Sequence, residues 1–249
     1  MRCSVVIPCH NGADLTRRCL ESLLAQRDVE ALEILLVDNA STDDTAALAT
    51  LAPSIRCLRQ PSNLGFAGGV NVGLRAAREP FVVVLNNDTQ AASDLLAELH
   101  RVLTSDARIG AVAPVSNFVK GAALLPVRGT TDPEVRESIA AELRTGEPCG
   151  TQDVESLAGL CLMLRRETVA EIGPLDERYG LGNFEDDDWC LRLRLHGYRL
   201  VVARRAFLHH EGHATFRALG LDIANELRLR MTSFEQKWDS DPAGRATLA

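Results

Sequence analysis

The feature that most restricts this chain is the repeated switch, through its first third, between short β-rich runs and stretches with helical spacing. Residues 3–8 (CSVVIP) and 33–37 (EILLV) are apolar runs of strand length, and between them Leu15, Cys19, Leu20, Leu23 and Leu24 recur at helical intervals. That pattern predicts a strand–helix–strand unit. A second helix starting near Ser41 or Thr42, a short strand over 55–58, a helix over 67–77 and a strong strand at 81–85 extend it. Such alternation implies the α/β class, with a mostly parallel central sheet flanked by helices. Helices then cover both faces, so a ligand is expected at the carboxyl ends of the strands.

At 249 residues the chain suffices for one large α/β domain and needs no disulfides or zinc to hold it together. Its second half is less regular. Residues 117–153 carry Gly, Pro and Thr with little periodicity, which predicts a loop-rich excursion with one helix near 133–144. Regular structure is expected again at 156–164, in a short helix over 167–172, in a helix over 185–196 and in a strand over 199–203. No internal repeat or domain linker interrupts the chain.

Charge and cysteine usage exclude several functions. Lys and Arg number 27 against 34 Asp and Glu, a net charge of −7, so no global positive field draws nucleic acid or anionic lipid. The seven cysteines are scattered without a Cys-x-x-Cys pair, which reads as reduced thiols in a cytoplasmic protein. The first apolar run is too short for a signal-peptide core, and none approaches the roughly 18 residues of a membrane span.

Four clusters have residues suited to chemistry. Asp38 with Asn39, and Asn86, Asn87 and Asp88, follow two of the expected strands and so share the ligand-binding edge of one sheet. Either site alone would be ordinary turn chemistry. The segment NLGFAGGVNVG (63–73) brings glycines to a helix start, where backbone can approach a ligand and N–H groups can face a phosphate. It has neither a dinucleotide fingerprint nor a P-loop lysine. Glu185 to Asp188 are four consecutive carboxylates at an expected helix start, more than complementing the helix dipole accounts for. Mutual repulsion raises at least one of their pKa values, which suits a general base, while Asp188 can pair with Arg192 four residues on. His209, His210 and His213 are expected just past the strand over 199–203, and one imidazole beside Asp88 would suit a hard divalent ion.

Taken in order, SVVIPCHNG, VDNASTDDT, NLGFAGGVN, VVVLNNDT, NFEDDDWCLRLRLHGYRL and HHEGHAT resemble the inverting glycosyltransferases of family 2, closest to their rhamnosyltransferase-like branch. The resemblance implies a single-domain GT-A fold over 1–249, with a nucleotide-sugar-binding half over about 1–116, an acceptor and catalytic half over about 117–215 and a C-terminal helix over about 216–238. It places Pro8 and Asn11 in the nucleotide pocket, Asp38 on the base or ribose, and Asn63, Gly68 and Asn71 near the sugar-diphosphate, with Asn87 also among the nucleotide-sugar-binding residues. Asn86 to Asp88 take the metal-binding DxD position, with Asn86 in place of the usual Asp. Asp88 and His210 would hold Mn²⁺ or Mg²⁺, and His210 fits better than His209. The base falls in the pair Glu185–Asp186, with Asp186 preferred. The implied donor is a nucleotide-diphosphate sugar. The implied acceptor is a hydroxyl on a glycan, lipid-linked or small-molecule substrate in bacterial surface-glycan synthesis, at the inner face of the membrane or free in the cytoplasm.

A nucleotidyltransferase would share the sheet type but needs an Arg-containing glycine loop after the first strand, which IPCHNG is not. A non-catalytic sugar-nucleotide-binding subunit is opposed by the retained Asp88 and Glu185–Asp186. Finally, Leu219, Ile223, Leu227, Met231, Phe234 and Trp238 form a helical stripe with Arg217, Arg228 and Arg230 off it. The expectation is packing on the body with solvated arginines; a homodimer or a peripheral membrane contact is the alternative.

Overall fold

Strand β1 (Arg2–Cys9) is buried from Cys3 onward, as a central strand covered on both faces must be. Its alternation sorts side chains between two layers. Cys3, Val5, Ile7 and Cys9 pack in one core with Cys19, Leu20 and Leu23 of α1 (Ala13–Leu24), whereas Val6 joins Leu35 and Val37 of β2 (Ala31–Asp38) in another. The computed structural model describes residues 1–146, 150–212 and 223–239.

After β2 the chain makes a 3₁₀ helix (Asp44–Leu51) where the sequence suggests an α-helix starting at Ser41 or Thr42. Asp43 caps it, accepting from the Thr45 amide at 3.1 Å, and its other oxygen accepts from the Ala13 amide at 3.0 Å. The stretch 41–43 is thereby used to join two loops. β3 (Ile55–Cys57), α2 (Gly65–Ala76) and β4 (Phe81–Leu85) follow as expected. α2 lies so close to β1 that a Cβ on Gly73 would meet Val6 Cγ1 at 2.2 Å.

The structure adds elements in stretches the sequence reading left unassigned or read as loop: β5 (Thr89–Ala91), α3 (Leu95–Ser105), β6 (Ile109–Ser116) and, beyond α4 (Pro133–Thr145), β7 (Thr151–Val154). α3 buries Leu95, Leu96, Leu99, Val102 and Leu103 on one face, and α4 starts with Asp132 as cap and Pro133 in the first turn. Then come β8 (Cys161–Arg165), α5 (Arg166–Ile172), α6 (Glu185–Leu195) and β9 (Arg199–His210). β9 runs seven residues past its expected end at Ala203, so His209 and His210 lie in the strand and not beyond it. His213 is outside the described residues.

Nine strands form one sheet among the described residues, in the order β3-β2-β1-β4-β8-β6-β9-β5, with β7 also on β9. β3, β2, β1 and β4 are mutually parallel; β8 is antiparallel to both β4 and β6, and β9 pairs parallel to β6. The carboxyl ends of β1, β2 and β4 therefore meet on one edge.

The last described helix, α7 (Ile223–Asp239), carries the expected stripe unevenly. Trp238 is buried and Phe234 half-buried, but Met231 is 44% exposed. Arg230, expected in solvent, turns inward: its guanidinium lies 3.3 to 3.6 Å from where a Cβ on Gly180 would stand, because no side chain there holds it off. Leu219 and Arg217 lie outside the described residues. Among the described residues no helix is long and apolar enough to cross a membrane, and the described cysteines are all free thiols.

Candidate active site

A cleft of about 850 Å³ opens at the carboxyl edge of the parallel strands. Pro8, Cys9 and His10 enter it from the end of β1, Asn39 from the end of β2, Asn63 and Gly65 from the start of α2, and Asn86 to Asp88 from the end of β4. The remaining wall comes from loops: 117–121 after β6, 156–160 before β8, and 181–187 leading into α6, with Leu227 of α7.

Of the residues singled out in the sequence, Pro8, Asn63, Asn87, Asp88, Glu185, Asp186 and His210 line this one cleft. Asn11, Asp38, Gly68 and Asn71 do not. Asn11 Oδ1 accepts from the Thr42 amide at 2.8 Å, and Asp38, fully buried, accepts from Arg59 Nη1 at 2.7 Å and the Ser41 amide at 2.8 Å. Both side chains are used in bracing the loops beneath the cleft. Asn71 spans to the segment before α6: its Nδ2 donates to the Leu175 carbonyl at 2.9 Å and its Oδ1 accepts from the Leu175 amide at 2.9 Å. Gly68 faces Leu64 and Glu177, and Gly69 faces Pro8 and Asn39, so these glycines serve close packing of α2 where the sequence suggested approach to a ligand.

Two polar clusters face the cleft. The first pairs His210 Nε2 with Asp88 Oδ1 at 3.3 Å. β9 alternation turns the adjacent His209 away, where its Nδ1 accepts from the Thr130 amide at 3.2 Å. Burial lowers the pKa of His209; burial opposes charge on His210 too, but the hydrogen bond and charge of Asp88 outweigh it and raise its pKa. His210 Nδ1 lies 2.8 Å from the Phe118 carbonyl, which fixes the proton on Nδ1. In neutral histidine, Nε2 and the carboxylate are then two acceptors facing each other, an arrangement that a bound cation relieves. No set of three such ligands occurs among the described residues, so a cation there would complete its shell from ligand oxygens and water.

The second cluster is the first turn of α6. Glu185, 5% exposed, has no partner for Oε2, and burial followed by the charge of Asp186 pushes its pKa well above the carboxylate range. Asp186 accepts from the Gly159 amide at 2.7 Å and the Asp187 amide at 3.0 Å, and burial, then the neighbouring Asp187, lifts its pKa to about 6. Two adjacent acids are thus both held above the ordinary carboxylate range, Glu185 mainly by its burial and Asp186 by burial and the charge of Asp187. Asp187 is held by the Ser156 hydroxyl. Asp188 faces away, fully buried, and accepts from Arg192 at 3.0 Å, as the four-residue spacing implied.

What precedes this turn is strained. Asn183 and Phe184 have φ of 77° and 72°, and a left-handed Phe costs on the order of 1–3 kcal/mol. α7 holds the strain in place: Phe234 packs on Phe184 with centroids 5.7 Å apart, and Trp238 Nε1 and Lys237 both reach Asp188, the former at 3.0 Å. The halves also meet where Gly65, at φ 73°, lies so near the Gly180 carbonyl that a Cβ would stand 2.0 Å from its oxygen.

Sequence reasoning gave no role to His10, Asn183 and Phe184, although they stand in the quoted motifs, and did not single out the loop 117–121 or Gly159, whose only signal is their place next to strand ends.

Residues 4–171 match the family described as Glycosyl transferase family 2. The N-acetylglucosaminyl-diphospho-decaprenol L-rhamnosyltransferase of Mycobacterium tuberculosis is 31% identical over 233 residues, covering 83% of this chain and 73% of that protein. Among solved structures, a mannosyltransferase of Pyrobaculum calidifontis in complex with GDP-Man and Mn²⁺ superposes with TM-score 0.64 at 23% identity, over 87% of this chain and 59% of its own. S. aureus TarS in complex with UDP-GlcNAc superposes with TM-score 0.63 at 18% identity, over 84% and 58%. The chain thus spans about three fifths of these solved chains, and at such identities they establish the GT-A fold alone.

Proposed function

The chain belongs to glycosyl transferase family 2, and on that premise we propose that it is an inverting, metal-assisted enzyme moving a sugar from a nucleotide-diphosphate donor to an acceptor hydroxyl. The observation that carries this reading is that the Asp88–His210 pair and the Glu185–Asp186 pair, from distant parts of the sequence, open into the same cleft. The mycobacterial relative makes L-rhamnose the first donor sugar to test and a sugar on a lipid diphosphate the first acceptor. Synthesis of a surface glycan fits such a pair.

Asp88 and His210 would hold Mn²⁺ or Mg²⁺, supported by the Nδ1 proton fixed on the Phe118 carbonyl and by the Mn²⁺ in the mannosyltransferase complex. When bound, the ion offsets charge on the leaving diphosphate, which an acidic protein needs. Asn63, whose Nδ2 remains available while its Oδ1 accepts from the Gly65 amide, faces the sugar-phosphate part, Asn87 adjoins it with its Nδ2 donated to Thr16 at 2.9 Å, and Pro8, His10 and Asn39 border the nucleotide. Asp186 takes the proton of the acceptor hydroxyl; hydrogen bonds from the Gly159 and Asp187 amides keep its carboxylate in place while burial keeps it basic. Attack on the face opposite the leaving group inverts the anomeric centre.

The test is a thermal-shift screen of nucleotide sugars, including a nucleotide-diphosphate L-rhamnose, GDP-mannose and UDP-GlcNAc, each with Mn²⁺. A ligand at 100 times its Kd adds about 2.7 kcal/mol of stability. The reading requires one donor to raise Tm in a way EDTA reverses, and to be slowly hydrolysed. A panel that leaves Tm unchanged and intact donor would overturn it.

A further inference from the structure

Beside the base, the cleft wall holds polar groups that the reaction as described leaves unused. Glu185 Oε2 is buried without a partner, Asn183 Nδ2 is buried without a partner, and both residues line the cleft within three positions of Asp186. Just behind them is Arg230 of α7, whose Nε is likewise buried and unpartnered while its Nη2 pairs with Glu226 at 2.9 Å. Buried polar groups left unmade are costly, so a site that keeps three in one place is built to have them filled by something else.

We propose that Asn183 and Glu185 form the subsite that grips an acceptor-sugar hydroxyl neighbouring the one that reacts, with Arg230 as the positioning residue that holds this pair in register. The inference rests on the glycosyltransferase reading above. A hydroxyl offers one donor and two acceptor lone pairs, so a single group satisfies both the amide N–H and the carboxyl oxygen. A phosphate fits badly, because Asp186 and Asp187 adjoin. An apolar group would leave both orphans unmade. Glu185 is suited to this work and Asp186 to the base, since Glu185 Oε2 is buried with its hydrogen-bonding capacity unused while the Asp186 carboxylate is already held by the Gly159 and Asp187 amides. Arg230 acts by position: its guanidinium occupies the space above Gly180, at the start of the strained turn that presents Asn183 and Glu185.

The experiment measures steady-state transfer to N-acetylglucosaminyl-diphospho-decaprenol and to analogues in which one sugar hydroxyl is replaced by hydrogen. Asn183→Gly removes the amide while tolerating the positive φ, and Glu185→Met keeps the length of the side chain without its oxygens. Each is expected to raise the acceptor KM about tenfold while the donor-induced Tm shift stays at the wild-type value. For one deoxy analogue the wild type should lose a similar factor and Asn183→Gly nothing further. Arg230→Ala should raise the acceptor KM and Arg230→Lys restore part of it. Wild-type acceptor KM in both cleft variants overturns the subsite, as does a matching loss of donor binding, which would place these groups on the donor. A wild type that turns over no nucleotide sugar sinks the glycosyltransferase reading itself, and the subsite with it.

Discussion

The wall of the cleft built from β1, β2, β4 and α2 and the wall built from the loops around α6 present the same kinds of residue by different means. In the first, β1 and β2 run eight residues in unbroken parallel register, and the functional side chains simply follow the strand ends. In the second, the β6–β9 ladder shifts register twice, and the carboxylates stand on a helix start reached through two left-handed residues and clamped from outside by α7. Rigidity in the first wall, which the proposed reaction gives to the donor, comes from the sheet itself. In the second, which it gives to the acceptor, rigidity is borrowed from a helix remote in sequence, so the two walls should respond differently to mutation.

The largest effect is expected at the base. Asp186→Asn should lower transfer by about 10²–10⁴ while leaving donor affinity near wild type, since the donor wall is untouched. Its stability should move the other way. A carboxyl raised from 3.8 to about 6 holds its proton longer in the folded state, so its contribution is full below pH 4 and is lost as pH rises through 6. Asn cannot ionise, so the variant should melt higher than wild type at pH 7.5 and not at pH 4. Transfer by the wild type should likewise fall below about pH 6. Turnover close to wild type in Asp186→Asn would move the base elsewhere.

Next in size is the clamp. Trp238, 4% exposed and hydrogen-bonded to Asp188, should cost about 3–5 kcal/mol as Trp238→Ala if α7 unfolds together with the body. If α7 instead detaches alone, calorimetry should show the main transition nearly unmoved and transfer reduced, with donor binding retained. Loss of donor binding in step with transfer would contradict the division between the walls.

Where the two walls meet, at Asp88 after β4 and His210 at the end of β9, Asp88→Ala or His210→Ala should each weaken donor affinity by about 10- to 100-fold, and EDTA should do the same to the wild type. Because both act through one ion, the double variant should be little worse than either single. Donor binding by Asp88→Ala equal to wild type in Mn²⁺ would remove the metal from this site.

The smallest effect is expected at Leu227. The helical stripe alone suggests a core position, for which truncation to Ala costs about 2–5 kcal/mol. The structure makes it a half-buried lining residue, so Leu227→Ala should cost about 1 kcal/mol or less by denaturant titration and show itself in acceptor KM. Weakened liposome sedimentation or a smaller species by light scattering in the same variant would instead revive a membrane or dimer role for α7.

The sequence by itself determined the α/β class, the strands β1 to β4 with α1 and α2, and the residues at their carboxyl ends. Strand alternation and helical spacing are local, and in a parallel sheet they fix which edge each following residue reaches. It also singled out Asp88, His210 and the acidic run before any geometry was known. The short strands β5 and β7 carry too few residues for a period to show. α3, by contrast, had its apolar spacing in plain view. The resemblance already preferred His210 to His209, but only the tertiary structure gave the reason, that β9 continues past Ala203 and its alternation turns His210 to Asp88. Only the tertiary structure divided the four acids into a buried carboxyl without a partner for Oε2, one held by two backbone amides, one braced by Ser156 and one that anchors α7. Their pKa values and partners are set by what packs around them, and Gly159, Ser156 and Trp238 come to them from up to 50 residues away.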